Sequence, residues 1–194
     1  MRTFRPTVGA LVLLDANILY PIRLCDFFLT AGTVGLIAKA VVSEEILAEA
    51  LRNVTADRAD LGAERIQRRF DAVRTATSGA DDPIPKRYFD TTVVNEKDRH
   101  VLAAARYHAV DFVVTNDQRL RREINRWISE QSKPHLAAAL TADDLVARLV
   151  IEEATITRSV IQAIADRSRN PPHSFADVVD GLVKSLPALR VLQT

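Results

Sequence analysis

Four acidic residues, Asp15, Glu49, Asp98 and Asp117, fall where the hydrophobic pattern makes a carboxylate either useful or costly. Asp15 ends the aliphatic run LVLL and Asp117 follows FVVT, so both are expected at the C-terminal rim of a buried sheet, where open α/β folds bind ligands. Glu49 lies roughly 60° from Ile46 on a helical wheel, at the margin of an apolar face. Asp98 precedes Val101, Leu102 and Ala105 at helical spacing, so it is expected to turn inward, a costly place for a carboxylate that nothing meets. If the parallel strands lie side by side, the four acids converge at one sheet edge. Such an oxygen-only donor set, with no Cys or His cluster, suits Mg²⁺ or Mn²⁺ better than Zn²⁺. Those ions activate water and stabilise phosphodiester displacement at both the attacking and the leaving oxygen.

Each acid alone also fits an ordinary role: Asp15 as a strand end, Asp117 as a helix cap, Glu49 as a solvated side chain, and Asp98 as a first-turn acid favoured by the helix dipole. Together they argue for function, because those roles give Asp98 no reason to face inward. Glu45, one turn before Glu49, is the substitute if the register is displaced. Two other classes stay open. An Asp-dependent phosphohydrolase or phospho-acceptor domain would use Asp15 as nucleophile, and a non-catalytic interaction protein would use the acids only for binding.

The acids must be carried by alternating strands and helices. Strands are predicted over Leu11–Leu14, Leu36–Val42, Asp111–Val114 and Leu136–Leu140, with Thr91–Val94 a further short strand or turn. Helices are predicted over Pro21–Ala31, from the N-cap Ser43 to Val54, over Asp60–Thr77, Glu96–His108 and Asp117–Arg126, the last capped by Asn116 or Asp117. Thr141 opens another helix, with Asp144 completing a capping pattern. Beyond about residue 150 the strands stop, and helices Ile151–Asp166 and Ser174–Leu186 are separated by RNPPHS. The expected organisation is an α/β domain over residues 1–148 and a small helical extension over 149–194.

At 194 residues, 47% hydrophobic and 26% charged, the chain suits one well-packed domain with an appendage. Cys25 is the only cysteine, so a disulfide within the chain is impossible and a reducing, cytoplasmic home is expected. No stretch approaches a membrane span or a secretory core. A net charge of +1 argues against bulk electrostatic binding of nucleic acid, but a carboxylate cluster would mask basic patches elsewhere. The arginine-bearing helices, with Arg65, Arg68 and Arg69 and with Arg119, Arg121, Arg122 and Arg126, could track an RNA backbone, although solvated helix faces carry the same charges; Arg119 and Arg122 follow Asp117 closely and are the better candidates for phosphate contact. His100 and His108 read as surface residues. Trp127 and Tyr88 are too isolated for a stacking platform. Nucleotide-loop, serine-hydrolase and zinc-protease motifs are absent from the sequence.

In order and spacing, DAN at 15–17, SEEILAE at 43–49, DRHVLAAA at 98–105 and VVTND at 113–117 resemble the PIN-domain ribonucleases over about the first 145 residues. The resemblance implies a three-layer PIN-like fold with a central, mostly parallel sheet. It implies that Asp15, Glu49, Asp98 and Asp117 hold Mg²⁺ or Mn²⁺, supported by Asn17, Thr115 and Asn116. It also implies RNA hydrolysis to a 5′-phosphate and a 3′-hydroxyl, with tRNA, rRNA and mRNA all open as targets. The chain departs from the pattern at Asn95, where relatives often carry a further acid. The family commonly supplies the VapC-type toxin of toxin–antitoxin pairs, and RSRNPPHSFADVVDGL at 167–182 resembles a helical extension found in some of them. A cognate antitoxin protein and a homodimer are expected on the same ground.

Overall fold

The computed structural model describes residues 6–89, 92–132, 134–169 and 171–193. Among them, β1 (Leu11–Leu14) leads through the four-residue helix α1 (Ala16–Leu19) to α2 (Ile22–Thr33) and β2 (Lys39–Val41). Helices α3 (Glu44–Asp57), α4 (Ala63–Ala76) and α5 (Arg99–Tyr107) follow, then β3 (Phe112–Val114), α6 (Gln118–Glu130), β4 (Ala138–Leu140), α7 (Ala142–Arg167) and α8 (Phe175–Val183). The four strands pair in the order β2-β1-β3-β4, all parallel. Helices flank this sheet, so the fold is α/β with a central parallel sheet, as the strand and helix pattern predicts.

The strands are shorter than their apolar runs. Leu36 and Ile37 are fully buried but precede the β2 ladder, and the same holds for Leu136 before β4. Apolar runs mark burial, whereas the ladder covers only the residues whose backbones pair. Thr91 lies outside the described residues, and Thr92–Val94 are bends rather than a strand. The predicted helix over Asp60–Thr77 is divided at Gly62, whose φ of 77° only glycine adopts without strain, into a 3₁₀ turn over Ala59–Leu61 and then α4. The predicted helix over Glu96–His108 also begins as a 3₁₀ turn, Glu96–Asp98.

The C-terminal helices follow the expected division into helices closely. The helix opened by the Thr141–Asp144 capping box is interrupted at Glu153, whose backbone is non-helical (φ −149°, ψ 71°), near the predicted start of the next helix at Ile151. α7 is thus two helical segments joined across this kink, the second reaching Arg167. No proline or glycine occurs within it, so the sequence holds no breaker there. Just before the kink, the Glu152 carboxylate accepts the backbone N–H groups of Thr7 (2.7 Å) and Val8 (2.9 Å), fastening the N-terminal segment to α7. The second half of α7, α8 and a 3₁₀ turn over Pro187–Leu192 pack on α2 and one another. Their buried residues, including Val160, Ile161, Val179, Leu186 and Leu189, join one continuous core with Val12, Leu13, Phe27 and Phe112.

β1 is central, and the chain leaves it toward β2 on one side and returns to β3 on the other. The strand order therefore reverses between β1 and β3. Their C-terminal ends form the crevice in which doubly wound sheets place ligands.

Candidate functional site

Strand register decides which residues meet in this crevice. Leu14 pairs with Val114, and the ladder continues one step as the Asp15 N–H donates to the Val114 carbonyl (3.1 Å). Asp15 thereby stands beside Thr115, whose hydroxyl donates to Asp15 Oδ2 at 2.6 Å. Asn17 Nδ2 donates to the same oxygen at 2.6 Å, and the Ala16 N–H donates to Oδ1 at 2.7 Å. Three donors thus fix a carboxylate that is only 5% exposed.

Thr115 is the hub of this network and is fully buried. Its oxygen also accepts Asn17 Nδ2 (3.0 Å) and the Asp117 N–H (3.1 Å). Asn17 Oδ1 accepts the Asn116 N–H (3.0 Å), while Asn116 Oδ1 accepts the N–H of Ala142 at the start of α7 (3.2 Å). Of the two cap candidates for α6, Asp117 is the cap: its Oδ1 accepts from Arg119 N (2.7 Å) and Leu120 N (3.0 Å). Asn116 instead ties the β3 rim to α7. Thr115→Val keeps the shape but removes the hydroxyl donor to buried Asp15 and orphans the Asp117 N–H, while Asn17 Nδ2 keeps only its bond to Asp15. Orphaned groups of this kind cost ~1–3 kcal/mol each, so a clearly lowered melting temperature is expected by calorimetry.

The opposite wall comes from α3 and the turn before α5. Ser43 caps α3 through Ile46 N, and Ile46, Leu47, Ala50 and Val54 face the core, leaving Glu49 at the margin of that face. Asp98 ends its 3₁₀ turn, half-buried and with no cap bond to α5, so it faces the cleft rather than the helix packing. Asp15, Glu49, Asp98 and Asp117 all line one cleft of about 250 Å³, together with Asn17, Asn53, Asp57 and His100. Among the described residues, no lysine or arginine lines it. Glu45 is exposed and lines only the outward continuation of the cleft.

The electrostatics follow from this crowding. Burial is the main cause that holds Asp15 above the usual aspartate range; hydrogen bonds from Thr115 and Ala16 oppose it, and the charge of Glu49 adds to it. Burial likewise raises Asp98, and Asp117 raises it further. Carboxylates such as Asp15 and Asp98, held above their usual range chiefly by burial and further by a neighbouring acid, are chemically suited to a hard cation. Among the described residues, no group of three or more Asp, Glu, His or Cys side chains is drawn together closely enough to hold an ion as it stands. Binding one therefore requires inward movement of the outer wall. Glu49 and Asp98 are the partly exposed members of the set, Glu49 lying against His100.

The chain matches no family model, no curated protein and no solved structure. The case for its chemistry therefore rests on the cleft itself.

Of the remaining candidates, Arg119 is exposed and paired with Glu123 through Nε at 2.9 Å, near Asp98 and Asp117. Arg122 is exposed on α6 and does not line the cleft. His100 corrects its sequence reading. Its side chain is only 15% exposed, Nδ1 meets the Lys97 carbonyl at 2.9 Å, and Nε2 lies 3.3 Å from Glu49 Oε2. The spacing of His100 in α5 carries no signal of this, because the contact depends on α3 packing beside α5. His108 is also mostly buried, 11% exposed. Glu123 was equally hidden from pattern reasoning: it accepts the Asn95 N–H at 3.0 Å and so anchors the turn that presents Asp98.

Proposed function

We propose that this protein is a metal-dependent endoribonuclease of the PIN type, acting as the toxin of a type II toxin–antitoxin pair. One observation carries the reading: four carboxylates from four separate segments line a single cleft at the sheet's switch point, with no lysine or arginine among its described lining residues. A purely structural use would match each acid with a cation, since carboxylates in a shared cleft repel one another; here hydrogen bonds hold Asp15 and Asp117, and His100 stands beside Glu49. Asp15 and Asp117 form the fixed wall, held by Thr115, Asn17 and the α6 backbone; Glu49 and Asp98 form the wall that closes, with His100 steering Glu49. Bound among them, Mg²⁺ or Mn²⁺ would supply Lewis acidity to an attacking water and to the leaving oxygen of a phosphodiester.

The phospho-acceptor alternative needs a free nucleophilic oxygen on Asp15, and both of its oxygens already accept hydrogen bonds. The non-catalytic alternative gains from the open arrangement of the acids. RNA incubated with Mn²⁺ separates it: cleavage leaving a 5′-phosphate supports the nuclease, and intact RNA with no Mn²⁺ bound favours the interaction protein. As a toxin the chain needs a cognate antitoxin that lays a basic side chain among the carboxylates in competition with the metal. Growth arrest on expression, relieved by the neighbouring gene product, is the corresponding cellular result. A homodimer and a cytoplasmic location belong to the same proposal. Among the described residues no helix is long and apolar enough to cross a membrane.

A further inference from the structure

The carboxylate cleft opens in two directions, and their linings differ. Past His100 it continues over Glu44, Glu45, Arg52 and Lys97, where two further carboxylates offset the two cations. Past Tyr20 it meets a groove of about 350 Å³ between α1, α3 and α4, to which Arg58, Arg65 and Arg69 contribute and no acidic residue does. Tyr20 lines both the cleft and this groove, so the two are contiguous. The groove floor is apolar, formed by Val54, Leu61 and Ile66, and Ile22 stands at its rim with 64% of its surface exposed.

The three arginines are not equivalent. Arg69 donates to the carbonyls of Leu19 and Tyr20, fixing the end of α1 and with it the position of Tyr20. Arg58 is exposed and makes a two-pronged pair with Asp60 at 2.9 Å, an exposed contact that a phosphate can displace. Arg65 is exposed and has no ion-pair partner among the described residues. Guanidinium groups above an apolar floor, with a tyrosine at the mouth, suit unpaired nucleotides: phosphates meet the arginines and bases lie on the floor.

We infer that this groove carries the RNA strand on one side of the cleavage point, with Arg65 and Arg58 on its phosphates, and that the substrate is single-stranded there. This assigns phosphate contact to α3 and α4 rather than to Arg119 and Arg122. It rests on the nuclease reading for its direction into the cleft, but binding tests it independently of cleavage.

The test is fluorescence anisotropy of a short fluorescein-labelled single-stranded RNA, titrated in EDTA across a range of salt. Each phosphate contact on a single strand contributes about 0.7 to the slope of log affinity against log salt, so Arg65→Ala is expected to lower the slope by about 0.7 and the affinity about fivefold near 0.1 M salt. The double variant Arg58→Ala/Arg65→Ala should lose about twice the slope. Asp60→Asn, which releases Arg58, should tighten binding, and Lys39→Ala, exposed on β2, should leave it unchanged. Unaltered affinity and slope in the double variant overturn the inference, as does a wild-type chain that binds no RNA. Displacement of the RNA by poly-glutamate at equal charge also overturns it, in favour of an acidic protein partner. Failure of the nuclease reading looks different: the arginine effects persist while Mn²⁺ produces no cleavage.

Discussion

Asp98→Asn is expected to reduce Mn²⁺-dependent RNA cleavage by at least about 100-fold while raising the melting temperature of the metal-free protein. The first figure is a lower bound, since removing even an outer partner of a metal ligand costs up to about that much. The second follows from the cause of the shift on Asp98. Burial and the neighbouring Asp117 make the folded chain hold the Asp98 proton more tightly than the unfolded chain does. Asp15 is shifted the same way, chiefly by burial. Between the ordinary aspartate value and these raised values the native state binds more protons, so metal-free stability falls as pH rises through that interval and recovers as pH drops below it. The amide copies the protonated form and removes the repulsion at neutral pH. Saturating Mn²⁺ should invert the wild-type behaviour, because an ion bound only by the folded, deprotonated cleft stabilises it. Calorimetry of both proteins with and without Mn²⁺, beside the cleavage assay, checks all of these. A variant that melts lower and still cleaves would mean that Asp98 is a structural acid.

Part of this site can be read directly from the sequence. Asp15 is identifiable because an aliphatic run too short for a helix reads as a buried strand, and a buried strand has a defined end. Ser43, Thr141 and Ser174 announce helix starts because their side chains satisfy N–H groups left over by local geometry. What stays hidden depends on the packing of segments distant in sequence. The contact of His100 with Glu49 and the hold of Glu123 on the Asn95 turn both join separate helices. The same is true of Arg69, whose bonds to Leu19 and Tyr20 cross from α4 to α1, although its spacing suggests only a solvated face or a contact with an RNA backbone. The interruption of α7 is legible for a different reason: the end of the strands near residue 150 suggests a break there, and although no proline or glycine marks it, the helix is interrupted at Glu153.

Removal of residues 149–194 is expected to abolish cooperative folding, because the extension is the cover of α2 rather than an attachment to a finished domain. The cut falls inside α7, a few residues before its kink. It deletes Val160, Ile161, Val179, Leu182, Leu186, Leu189 and Leu192, each no more than 2% exposed. What destabilises the remainder is the surface left behind. Arg167 bonds Asp26 Oδ1 (2.9 Å) and Thr30 Oγ1 (2.6 Å), which marks the face of α2 that carries Phe27 as the covered one. Burial of a side chain such as phenylalanine is worth ~1.5–3 kcal/mol, and exposing several on α2 consumes most of a typical 5–15 kcal/mol stability. The 1–148 fragment should lack a sharp thermal transition and near-ultraviolet circular dichroism. Because a fragment can fail for trivial reasons, Leu186→Ala in the full chain provides the finer measurement, at a cost of ~2–5 kcal/mol. If the extension and the sheet unfold together, the single transition moves down as a whole. Two transitions, with only the smaller displaced, would make the extension a separate unit.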